Sequence, residues 1–161
     1  MRVASVSAVE IEGLYRRRFA AFVGLAAAVT GDQGEAVDVV QDSFAKALRK
    51  RRSIRSADSL EPWLWRVVLN TARDRRRGRR SGGPSAPEPA VTTNGYETDA
   101  AVRALLAELP ERQREAIFLR YYADLDYEAI AELLGISAGT VAATLHAAHS
   151  ALRERLEGVR R

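Results

Sequence analysis

The side chains best suited to chemistry in this chain lie between Trp63 and Arg80. Trp63, Arg66, Asn70, Arg73, Asp74 and Arg77 recur every three or four residues, so on a helix they share one face. That face combines an aromatic ring able to stack on a base, an amide able to read a base edge, and arginines whose planar forks match phosphate. The combination suits single-stranded or partly opened nucleic acid. The run Arg75-Arg76-Arg77-Gly78-Arg79-Arg80 alone is a weak indicator, because a solvated basic surface has the same composition. It is stronger behind an amphipathic helix carrying Asn70 and Asp74. Nothing comparable points to catalysis. The chain has no cysteine, which excludes a disulfide framework, a thiolate zinc site and a Cys nucleophile. Its two histidines, His146 and His149, stand at i and i+3 with no third ligand nearby and read as polar surface. Asp124, Asp126 and Glu128 alternate like metal-binding carboxylates, yet helix capping accounts for them more simply. No catalytic residue, metal site or cofactor is expected.

The elements that must position these residues are all helical. Among 161 residues, 47% are hydrophobic; Ala is abundant and apolar residues recur at three and four with no β-branched alternation. Ile11, Leu14/Tyr15, Phe19, Phe22, Leu25/Ala26 and Val29 form one stripe ending at Thr30-Gly31-Asp32. A second helix over about 32–51 buries Ala36, Val40, Phe44, Ala47 and Leu48. A third starts at Pro62, a favoured first-turn residue, and continues through Leu64, Val67, Val68, Thr71 and Ala72 to about Gly78. One of Trp63 and Trp65 is expected in its core. Three of the five prolines fall between Pro84 and Pro89, beside Gly82 and Gly83, which marks a flexible linker. The fold class is therefore all-α, with two small helical domains at 1–80 and 99–161 joined by a linker at 81–98. The net charge of +4 divides unevenly, as +8 over residues 1–80, −2 over 81–97 and −2 over 98–161. A half this basic points to a polyanion or an acidic partner.

In the second domain a short helix over 100–109 meets Pro110, which opens a helix through Ile117, Phe118 and Tyr121. The segment 126–145 then has the pattern of a helix-turn-helix. Asp126 caps a helix whose Ile130, Leu133 and Leu134 face inward, Gly135 takes the left-handed conformation that ends it, and Ser137 caps the next. Ala131 is small where the helices approach, and Val141 and Leu145 bury the second helix. A plain helical hairpin would share much of this pattern. As a DNA reader, the second helix offers Ser137, Thr140, Ala142, Ala143, Thr144 and His146. With no Arg or Lys at its exposed positions, direct readout rests on Thr140, Thr144, His146 and methyl contacts, and base recognition is expected to be weak.

Three segments in order resemble the extracytoplasmic-function group of bacterial sigma factors, the smallest members of the sigma-70 family. Gly31-Asp32 followed by Ala36, Asp38, Gln41, Phe44 and Ala47 resembles the family's region 2.2 helix. Pro62-Trp-Leu-Trp-Arg-Val-Val-Leu-Asn-Thr-Ala-Arg-Asp-Arg-Arg-Arg77 resembles regions 2.3 and 2.4. Leu109-Pro-Glu-Arg-Gln-Arg-Glu-Ala-Ile-Phe-Leu-Arg-Tyr-Tyr122 and the helix-turn-helix resemble region 4. The resemblance covers nearly all of the chain outside the linker. It implies a sigma factor that binds core RNA polymerase and directs promoter recognition and initiation. Asp38, Gln41 and Asp42 would face the clamp of the largest subunit, and region 4 the flap of the second-largest. The loop from Ser53 through Arg55 to Ser59 would hold a flipped base of the minus-10 element. Trp63, Arg66, Asn70, Arg73, Asp74, Arg76 and Arg77 would line the non-template strand, and the linker the RNA exit path. Region 4 would place Ser137, Thr140, Ala142, Ala143, Thr144 and His146 at the minus-35 element. An anti-sigma factor is an expected partner.

Two other classes stay in view. A free-standing helix-turn-helix regulator is disfavoured because the helix-turn-helix half is acidic overall. A small nucleic-acid enzyme lacks clustered carboxylates. The longest apolar run, Leu25–Val29, is far shorter than the roughly 20 residues that span a bilayer, and no signal-peptide pattern opens the chain. A cytoplasmic protein, monomeric when free and independent of membranes, is expected.

Overall fold

The computed structural model describes residues 5–80 and 100–160. Among them are seven helices and no strand: α1 (Ala8–Thr30), α2 (Gln33–Lys50), α3 (Ala57–Arg80), α4 (Ala100–Ala107), α5 (Glu111–Tyr121), α6 (Tyr127–Leu134) and α7 (Ala138–Val159). They form two compact units, one within Met1–Val91 and the other within Thr92–Arg161. The all-α class read from periodicity is the class observed. The expected linker at 81–98 lies outside the described residues. No single helix among those described is long and apolar enough to cross a membrane.

The first unit is set up by local hydrogen bonds and closed by aromatic packing. Ser7 and Glu10 make a reciprocal cap at the start of α1. The Ser7 N–H donates to the Glu10 carboxylate at 2.7 Å, and the Glu10 N–H donates to the Ser7 hydroxyl at 3.2 Å. The bond from the Ser7 backbone, then that from its hydroxyl, holds the Glu10 carboxyl below the usual glutamate range. Gly31, at φ +74°, ends α1, and Asp32 restarts the chain by accepting from the Glu35 N–H at 2.8 Å. Between the helices Trp65 lies against Phe22 with ring centroids 4.0 Å apart, and Phe44 meets Phe22 and Tyr15 edge-on at 5.4 and 5.0 Å. Leu25, Val29, Val39, Leu64, Val68 and Leu69 fill the space around them. Trp65 is thus the core tryptophan, and Trp63 is half-buried.

Three local expectations change. Pro62 does not open α3, which begins at Ala57. A turn closed by the Ser59 N–H on the Ser56 carbonyl, together with burial of Ile54 and Leu60, anchors the extra residues. Pro62 removes a single backbone donor near the helix start. The loop expected from Ser53 to Ser59 is shorter as a result, its last three residues being helical. At the far end α3 continues past Gly78 to Arg80, where Arg79 is held by an ion pair to Glu35 and a hydrogen bond to the Thr30 carbonyl. Leu48 is 46% exposed rather than buried. Ala47 takes the core-facing position, and one residue onward the helix has turned by about 100°.

The second unit is built around α7. Leu106 and Leu109 near α4, Ala116, Ile117 and Leu119 on α5, and Ile130, Ala131 and Leu134 on α6 are buried with Val141, Leu145 and Ala148. Arg155 reaches the Leu105 carbonyl and pairs with Glu108, tying α7 to the α4 end. Leu133 is only half-buried. Asp126 caps α6 and Ser137 caps α7, each accepting the expected N–H, and Gly135 ends α6 at φ +67°. A Cβ on Gly135 would meet nothing within 4 Å, so the cost of Gly135→Ala is conformational. Urea melting is expected to show a loss of about 1–2 kcal/mol for that variant; no loss would mean that the turn relaxes to another conformation.

Candidate functional site

On α3, Arg66, Asn70, Asp74 and Arg77 are exposed and Trp63 and Arg73 half-buried, opposite buried Leu64, Trp65, Val68 and Ala72. The structure therefore brings the predicted set onto one face, with Asp74 paired to Arg77. Asn70 makes no side-chain hydrogen bond among the described residues, so its amide is open to a ligand. Ser53 and Arg55 are exposed in the turn before α3, on either side of buried Ile54. Arg76 departs from the predicted face. It lies about 120° around the helix from Asn70 at 3.6 residues per turn, is half-buried, and its Nη1 is out of contact with solvent.

The arginine run is thus divided. Arg75 donates to the Asp42 carboxylate at 2.6 Å, and the Arg79 Nε lies 3.1 Å from the Glu35 carboxylate. Both turn toward α2 and fasten α3 to it. Composition cannot register this division, because the carboxylates that select Arg75 and Arg79 come from a distant part of the chain.

A second face runs along α2. Asp38, Gln41, Asp42, Ala45, Leu48 and Arg49 are all exposed, and their spacing of three and four places them on one stripe. Asp38 and Gln41 make no side-chain hydrogen bond among the described residues, whereas Asp42 holds Arg75. Leu48 adds one exposed apolar side chain to this polar stripe. Sequence reasoning assigned it to the core, because an apolar residue beside Ala47 fits a widened core stripe equally well.

The third face belongs to the helix-turn-helix, whose helices α6 and α7 meet at 99°, within the range of DNA-reading versions of that motif. Ser137, Thr140, Ala143 and His146 are exposed, and Ala142 and Thr144 half-buried. Several of these groups are already engaged. Ser137 and Thr140 hydroxyls lie 2.8 Å apart, and the Thr144 hydroxyl donates to the Thr140 carbonyl at 2.7 Å. His149 is 2.7 Å from the Tyr121 hydroxyl. Among the described residues no group of three or more His, Cys, Asp or Glu could hold a metal ion.

Comparisons with known proteins bear on the same elements. A sigma-70 region 2 family model matches residues 14–82, and a sigma-70 region 4 model matches residues 99–152. The chain is 31% identical to RNA polymerase sigma factor SigV of Bacillus subtilis over 139 residues, 84% of each protein. It is 31% identical to RNA polymerase sigma-E factor of Streptomyces antibioticus over 160 residues, 96% of this chain and 89% of that one. Among solved structures, it resembles the sigma factor RpoE in complex with the anti-sigma factor NepR from Bartonella quintana. That match has a TM-score of 0.75 and 26% identity, over 92% of this chain and 97% of the other. CnrH, solved with the cytosolic domain of CnrY, matches with a TM-score of 0.67 at 25% identity, over 92% of this chain and 88% of CnrH. The chain belongs to the sigma-70 family of RNA polymerase sigma factors, in the extracytoplasmic-function group, and its function is to direct transcription initiation.

Proposed function

We propose that the chain is a non-catalytic specificity subunit, dividing at 1–80, 81–98 and 99–161, that acts in the cytoplasm only when bound to core RNA polymerase. The α2 stripe of Asp38, Gln41, Asp42 and Leu48 docks on the largest subunit. Ser53, Arg55, Trp63, Arg66, Asn70, Arg73, Asp74 and Arg77 hold the opened non-template strand at the minus-10 element. Extruding a base costs a few kcal/mol, and a stacking ring with several phosphate contacts is what offsets that cost. The observation that carries the reading is the single exposed face of α3, which joins Trp63, Asn70 and three arginines. When free, the subunit is a monomer sequestered by an anti-sigma protein, as the partners of its structural neighbours suggest.

The test is to add the protein to sigma-free core polymerase and measure promoter-dependent run-off transcript. Transcript from promoter templates alone is expected. No transcript, together with no co-elution with core at micromolar concentration, would leave a free-standing helix-turn-helix regulator.

The α7 face contributes little sequence readout on this reading. No charged residue occurs from Ala138 to Leu152, and phosphate contacts normally supply much of the affinity. Scrambling the minus-35 element of a responsive promoter is expected to lower run-off by less than about tenfold, the cost of roughly one mismatched base pair at a strongly read site. A hundredfold loss would show that Thr140, Thr144 and His146 read bases strongly.

A further inference from the structure

The turn between α2 and α3 presents Ser53 and Arg55 to solvent on either side of buried Ile54. Two exposed side chains hold a base in one place only when the backbone beneath them is already fixed. Within the turn the Ser53 N–H donates to the Lys50 carbonyl at 2.8 Å, and the Ser59 N–H donates to the Ser56 carbonyl as α3 begins. Those bonds tie the turn to its own two helices. Among the described residues one hydrogen bond reaches residues 51–56 from elsewhere: the Val6 N–H donates to the Arg51 carbonyl at 3.2 Å. Arg51 is the residue that ends α2, so its carbonyl is one of those that a helix leaves without an internal partner.

Val6 is itself held from two sides. Its side chain is 1% exposed, and it stands immediately before Ser7, whose hydroxyl and backbone N–H both engage Glu10 at the start of α1. Val6 and buried Ile11 occupy the two positions of a hydrophobic staple, which sets the angle at which a chain enters a helix. One residue thus combines a donor to the turn with a side chain locked by the helix start. We infer that Val6, held by the Ser7–Glu10 cap, is a positioning residue for the minus-10 turn. It acts through the Arg51 carbonyl rather than on the strand. By keeping Ser53 and Arg55 where an extruded base is received, it leaves less of the turn to be ordered when the strand arrives. The inference rests on the proposed role of Ser53 and Arg55 in holding that base.

The test uses holoenzyme assembled from the full-length chain and core polymerase. Run-off is measured on a responsive promoter and on templates in which each non-template base of the minus-10 element is made abasic in turn. With the parent, one position is expected to cost about fivefold or more, the value of a stacked base; that position is the extruded base. Val6→Ala is expected to lower run-off from the intact promoter about 4- to 15-fold, the population ratio equivalent to burying one or two methyl groups. It is expected to lose little more when the extruded base is removed, because a displaced turn no longer holds it. A first unit that is merely less stable would instead lower run-off from every template by one factor, and that outcome overturns the inference. A Val6→Ala holoenzyme equal to the parent on the intact promoter overturns it too. If Val6→Ala melts below the assay temperature, Glu10→Ala carries the test, since it opens the exposed cap without leaving a cavity and Ala suits a helix. A loss of about twofold or more, the value of one weak hydrogen bond, is expected for it, confined to templates that retain the extruded base. An equal loss on all templates, or none, is fatal. If no abasic position affects the parent, the reading of Ser53 and Arg55 as base-holding residues fails first, and the role of Val6 falls with it.

Discussion

Trp65→Ala is expected to unfold the first unit and abolish promoter-dependent transcription. Trp65 is completely buried against Phe22, and its indole N–H donates to Glu61 at 3.3 Å. Removing a buried Trp typically costs about 3–5 kcal/mol. A helical unit of this size has a total stability of roughly 4–11 kcal/mol at 0.05–0.15 kcal/mol per residue, so the loss consumes much or all of it. The neighbouring Trp63 supplies the contrast. It is half-buried on the α3 strand face, so Trp63→Ala is expected to leave thermal melting within a few degrees of the parent while lowering run-off by about tenfold, in line with about 1–3 kcal/mol per stacked base. Circular dichroism melting and run-off transcription on both variants separate the roles. Equal melting losses for the two would contradict the assignment of one to the core and the other to the strand.

Leu48→Arg is expected to weaken binding to core polymerase by about 30-fold or more with little change in folding. Leu48 sits 46% exposed on the stripe with Asp38, Gln41 and Asp42. Leu and Arg have similar helix propensity, so the exchange costs the fold little. At the centre of an interface, losing an apolar anchor and burying a charge commonly costs 2 kcal/mol or more, by order of magnitude. Co-elution or fluorescence anisotropy with core, beside a melting curve, reads both quantities. A variant that melts early and binds normally when folded would return Leu48 to the core and remove the α2 stripe from the docking surface.

Much of the fold was legible because helix signals are local. The caps at Asp32, Asp126 and Ser137 and the left-handed glycines Gly31 and Gly135 act through neighbours three or four residues away. Apolar spacing then gave most of the buried stripes of α1 and α6, whereas on α5 only Ile117 of the expected Ile117, Phe118 and Tyr121 is buried and Tyr121 is 55% exposed; the helix-turn-helix emerged from the order of cap, glycine and cap. Pro62 misled for the same reason. Its local preference is real, but burial of Ile54 and Leu60 outweighs it and extends α3 toward its N-terminus. The exposed polar face of α3 was legible as a set of positions, because a helix turns by about 100° per residue whatever it packs against.

Sequence by itself determined the helices, most of their ends outside α3, the two-unit plan and the phase of each residue around its helix. Only the tertiary structure decided which tryptophan of α3 enters the core and which of its arginines meet α2. That choice buries Trp65 and spares Trp63. It also gives Arg75 and Arg79 to Asp42 and Glu35 and leaves Arg66 and Arg77 exposed. The physical reason is that periodicity fixes angles within a helix, whereas an ion pair such as Arg75 with Asp42, 33 residues apart, depends on where two helices cross. Six arginines between Arg73 and Arg80 look alike as a string, and packing against α1 and α2 gives Arg75 and Arg79 different work from Arg77.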